Sequence, residues 1–269
     1  MTVKQKAYLQ VWDRFIAKGM LTMGKMRNRA VSVIQNYGSS LYRKLCAFIP
    51  HHVSNRVVVG VLDLMRRGQR LTKKDFRGNL ARNESAFQNH LETIRKHGGY
   101  VEDQNRYTDM VYGRVTMQYA GCEIFAAYNA IYSITGRHDM SLPEMIAKFE
   151  RDGMVLSGKF GTAPKAVRDF LECQGFRTEF VTDETQFEDL GERSRGLILT
   201  MYNDKDDIRR EVHTVSISKD PDGYRGHNVN CNGDVLGPCG SLRELMAQMN
   251  GGRIKAVSMI GVLDDRRKG

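Results

Sequence analysis

The feature that most constrains this chain is a change of hydrophobic period near residue 176. Before it, apolar residues recur at three- and four-residue spacing. After it, RTEFVT, GLILTMY, VHTVSIS, GYRGHNVN and RIKAVSMIGVL alternate or run apolar over strand length. Helices first and strands second predict an α+β fold with a mostly antiparallel sheet. One helix is expected after Gly121, a second after Ser141 with Pro143 and Glu144 at its start, and a third near Thr162 with Pro164 in its first turn. LRELMAQM predicts one more helix among the strands, and NDKDDIRRE at 203–211 reads as a hairpin connection.

The first hundred residues have a different texture. VWDRFIAKGML, MRNRAVSVIQNYGSSLYRKLCAFI, VSNRVVVGVLDLMRRG and FRGNLARNESAFQNHLETIRKHGG predict three or four helices over 4–97, with IPHH at 49–52 and HGG at 97–99 as punctuation. The expected organisation is a basic helical region at 1–100, acting as a pro-segment or docking module, followed by an α+β domain at 101–269. Charge follows the same division. Residues 1–115 hold 21 Lys and Arg against 8 Asp and Glu, while the remainder holds 20 against 23, within a net charge of +10. Such an asymmetry suits docking to an acidic partner, or to the acidic second half. A nucleic-acid contact is the weaker option, because no aromatic interleaving or nucleic-acid motif accompanies the basic residues.

With 41% hydrophobic and 27% charged residues, the composition is that of a globular protein. VVVGVL at 57–62 falls well short of a membrane span, and MTVKQKAYLQVWDRF lacks the apolar core of a secretory signal. Five scattered cysteines (Cys46, Cys122, Cys173, Cys231, Cys239) fit a reducing compartment, so a cytoplasmic location is expected. Cys231 and Cys239 in CNGDVLGPC have neither a CxxC nor a second ligand pair beside them, and no metal is predicted there.

Chemistry is concentrated in QYAGCEIFAAYNA at 118–130. Cys122 stands at the first turn of an apolar helix, where unpaired N–H groups and the helix dipole favour a thiolate. A small apolar helix with one cysteine is equally the description of core filling, and a partner base decides between the two. Five of the seven histidines lie in loops or on helices with no reason to approach Cys122. His213 instead opens the strand VHTVSIS. About fifteen residues later GHNVN offers Asn228 or Asn230, and alternatively His227, as the group that orients the imidazole. Gln118, four residues before the cysteine, is the candidate oxyanion donor alongside the Cys122 N–H.

The order Cys on a leading helix, His on a strand, then Asn on the next strand resembles the papain-like cysteine peptidases. The bacterial double-glycine leader peptidases are the nearer branch, since SGKFGTAPKAVRDFLECQGF at 157–176 is similar to their Gly-x-x-Gly turn and following helix. The resemblance covers roughly residues 110–262. It implies a papain-like fold in which Cys122 is the nucleophile, His213 the general base and acid, Asn228 the orienting residue and Gln118 the oxyanion donor. Two positions depart from the family pattern. Glu123 stands where glycine is common, and Gln118 is four rather than about six residues before the cysteine.

The function this implies is thiol-dependent hydrolysis of a peptide or protein substrate through a thioester, with no cofactor. The alternatives are a transglutaminase- or amidase-type acyl transferase, and a catalytically inactive papain-like binding protein whose basic arm contacts nucleic acid or an acidic partner.

Overall fold

The computed structural model describes residues 49–67, 70–206 and 212–264. The two helices expected before residue 49 lie outside the described residues. So does most of the 203–211 connection.

The fold is mixed α and β around one antiparallel sheet. Its strands are β3 (Arg177–Val181), β4 (Gly196–Tyr202), β5 (Val212–Asp220), β6 (Gly223–His227), β7 (Leu236–Cys239) and β8 (Lys255–Asp264). Their spatial order is β3-β8-β4-β5-β6-β7, and every neighbouring pair is antiparallel. A separate hairpin joins β1 (Val111–Tyr112) to β2 (Val115–Thr116). β4 is buried along its whole length. That is why GLILTMY reads as a nearly continuous apolar run: both faces of a central strand are covered.

The faces differ in chemistry. Leu197, Leu199, Met201, Val215 and Ile217 point into one core, closed by the short helices α8 (Phe187–Arg193) and α9 (Leu242–Gln248). On the other side, Ile198 and Ile260 join a core built on α5 (Cys122–Thr135), α6 (Leu142–Asp152) and α7 (Pro164–Cys173). α6 begins where the sequence marks it: Ser141 Oγ accepts from the Glu144 N–H, the Glu144 carboxylate returns to the Ser141 N–H, and Pro143 occupies the first turn.

The helices preceding residue 100 share this framework. α1 (Asn55–Arg66) seats Val59 against Tyr202 and Val257, and Leu62 against Val155, Ala163 and Ala166. From α2 (Lys73–Phe87) and α3 (Leu91–Lys96), Ala86, Phe87 and Ile94 enter the core of α5. Asn83 of α2 pairs with both the N–H and the C=O of Val111. Packing is therefore continuous across the expected boundary at residue 100, and the described part of the basic region is docked on the rest of the chain. Residues 49–52, read as loop punctuation, are helical. His90, read as part of a polar face, is buried between Asp109 and the Tyr107 ring.

Candidate active site

A short helix, α4 (Met117–Ala120), leads through Gly121 into α5. Gly121 is there for space, since a Cβ would lie 2.6 Å from the Met117 carbonyl and 2.7 Å from the Phe125 ring. Cys122 is thus the first residue of a helix whose residues 122–131 are all buried. The helix is held in place by Asn129, whose amide pairs with both the N–H and the C=O of Val101 at 2.8 Å.

The Cys122 sulfur meets two groups from different elements. Its S–H donates to Glu123 Oε2 at 3.2 Å, and the Thr214 N–H of β5 reaches it from the sheet. Only 7% of Cys122 is exposed. Burial foremost, then the adjacent Glu123 charge, push this thiol well above the usual cysteine value, against the small opposing effect of the Thr214 N–H. The thiolate expected from the helix N-terminus is therefore not the resting form. Glu123 itself is raised to about 7, because burial outweighs the hydrogen bonds from its own N–H, the thiol and the Thr162 N–H. A cavity of about 40 Å³ opens beside the pair, walled by Cys122, Glu123, Lys159, Gly161, Thr162 and Thr200.

His213 is the residue before Thr214 on β5, and because adjacent strand residues face opposite sides, the structure does not bring the imidazole onto the face that meets Cys122. Pairing with Met201 and pleat alternation send His213 out on the Met201 and Val215 side. Thr214, whose hydroxyl meets Thr200 Oγ1, faces α5. The imidazole reaches the loop beyond β6, where Nε2 lies 2.7 Å from the Asn228 carbonyl oxygen. A carbonyl only accepts, so Nε2 carries the proton and, in the neutral ring, Nδ1 carries the lone pair. Cys231 Sγ stands 4.0 Å from the same Nε2.

Asn228 is thus beside His213, through its backbone rather than its side-chain amide. Its side chain turns to Gln104, accepting from the Gln104 N–H at 3.1 Å and donating to Gln104 Oε1 at 3.3 Å. Gln104 Nε2 in turn donates to the Gln118 carbonyl at 2.8 Å. Gln118 is half-buried and joins the network through its main chain. Asn230 is exposed. His227, the other alternative, is bound to Glu102 and Ser218, and Glu102 also accepts the Asn228 N–H. Gln104, Glu102 and Cys231 carry no sequence signal for these positions. Among the described residues no group of three or more His, Cys, Asp or Glu is arranged to hold a metal ion, and no helix is long and apolar enough to cross a membrane.

Compared with known proteins, the chain matches no family model, no curated protein and no solved structure.

Proposed function

We propose that this protein is a cysteine-type peptidase of papain-like architecture, acting through Cys122 and His213. The observation that carries this reading is the meeting of a cysteine at the head of a buried helix with the N–H of Thr214, the residue that follows His213 on β5. In this reading the imidazole turns from the Met201 and Val215 side of β5 toward the sulfur and takes the thiol proton as substrate binds. The sulfur then attacks the substrate carbonyl carbon, and the charge on its oxygen is met by the Cys122 N–H and the Gln118 amide. The imidazolium gives its proton to the leaving amine as the C–N bond breaks. Water hydrolyses the thioester, returning the thiol and the neutral ring. Action in the cytoplasm on a peptide or protein substrate belongs to the same proposal, supported by the thiols of Cys122, Cys173 and Cys239.

Alkylation with iodoacetamide at pH 6 tests it, with the exposed Cys173 as the internal reference. His213→Ala is expected to slow the labelling of Cys122 by about a hundredfold, as for loss of a positioned base. Labelling indifferent to His213→Ala would instead identify an inactive binding module.

A further inference from the structure

The residue immediately after the cysteine is a buried carboxylate that the mechanism above does not use. Glu123 Oε2 accepts the Cys122 S–H at 3.2 Å, and the Thr162 N–H donates to the same carboxylate. Gly161 closes over it: a Cβ there would stand 3.0 Å from both carboxylate oxygens, at a backbone φ of +67°. Among the described residues, none of the groups that touch this carboxylate is a cation.

We propose that Glu123 is a positioning residue that sets the protonation of the nucleophile: its charged form holds Cys122 as a thiol, and its neutral form releases it. This rests on the reading of Cys122 as the nucleophile, and it adds a regulation of that site by protons. An ionised carboxylate in hydrogen-bond contact with sulfur opposes a second negative charge, whereas a neutral carboxyl does not. The groups around Glu123 leave it as the one that titrates near neutrality on its side of the sulfur. From its own helix the thiol faces it. From the segment after α6 come the Thr162 N–H and, at the cavity wall, Lys159. From β1 comes Tyr112, a phenol held neutral by burial and itself influenced by Glu123 and by Glu150 of α6. His213 and Cys231 belong to β5 and the loop after β6, and Cys231 acts on Cys122 itself.

The experiment is the alkylation rate of Cys122 from pH 6 to pH 8.5 in the wild type and in Glu123→Gln. Since the carboxyl is neutral at pH 6 and charged at pH 8, the variant-to-wild-type rate ratio should be about one at pH 6 and about ten or more at pH 8, as for one unit in thiol pKa. A merely structural role would move the rate equally at every pH. A ratio that is constant, or that falls with pH, overturns the proposal. A flat ratio with the His213→Ala effect intact would remove Glu123 and leave the peptidase reading. A rising ratio without any His213→Ala effect would do the reverse. If Glu123→Gln fails to fold, thiolate absorbance of the wild type against Cys122→Ala decides: none should appear by pH 8, and a midpoint below pH 7 would overturn the proposal.

Discussion

Of the three glutamates buried among the described residues, Glu102 and Glu123 have surroundings opposite in kind. Glu102 spreads its two oxygens over two strong donors, His227 Nδ1 at 2.6 Å and the Asn228 N–H at 2.8 Å. His227 is in turn met by Ser218 Oγ at 2.9 Å and covered by the Tyr100 ring at 3.9 Å between centroids. Glu123 has backbone N–H groups and a thiol, a weak donor, and a cavity at its side. Equal burial therefore gives two outcomes. Glu102 fastens the segment after residue 100 to the sheet, whereas Glu123 is a charge the fold accommodates poorly, beside the most reactive type of side chain in the core.

The comparison is sharpest at Glu102. Glu102→Ala would leave the His227 ring nitrogen and the Asn228 N–H buried without an acceptor, and Asn228 also holds His213. We expect a loss of about 3–5 kcal/mol in urea unfolding, the range for removing one partner of a buried pair. A loss below about 1 kcal/mol, the scale of a single ordinary hydrogen bond, would show that this region does not fasten the fold.

For Glu123 the sign reverses with pH. Its carboxyl sits at about 7 in the fold, above the ordinary 4.5. The native state therefore holds its proton longer than the unfolded chain does, and its contribution is full below pH 4.5 and lost as pH rises through 7. That shift corresponds to about 3 kcal/mol across the window. Glu150 is also raised to about 7 by burial and acts in the same direction. Glu123→Gln should thus remove only part of the slope of unfolding free energy against pH, and should gain on the wild type from pH 5 to pH 8. Parallel curves for the two proteins would break the comparison.

How far these regions were legible in the sequence follows from what holds them. β4, β5 and α6 were visible because period, apolar run and capping box are local patterns. β7, LGPC, has neither alternation nor β-branched residues, and it exists because Gly226 and Tyr224 of β6 offer it an edge. The helix that begins at Cys122 and the strand that carries His213 could be named from local pattern. The role of Asn228 could not, because a left-handed backbone at φ +58° ends β6 and presents the carbonyl, not the amide, to His213. Gln104 was invisible for a simpler reason: it sits in the polar turn DQNR and meets Asn228 from 124 residues away.

The smallest effect is expected at Ser218. Ser218, His227 and Glu102 stand in a line with the spacing of a nucleophile, a base and an orienting acid. Geometry alone does not make them a site: they are 3%, 3% and 1% exposed, and Tyr100 covers the imidazole. With Nδ1–H given to Glu102, Nε2 is left to accept from the Ser218 hydroxyl, so the serine completes the hydrogen bonding of a buried ring. Ser218→Ala should then cost about 1 kcal/mol, the scale of one buried hydrogen bond, with Cys122 alkylation unchanged. A much larger loss would mean that His227 depends on the serine as much as on Glu102. A change in Cys122 alkylation would mean that the two glutamate regions, which the fold keeps on separate hydrogen-bond networks, are coupled through the hydroxyl-lined face of β5.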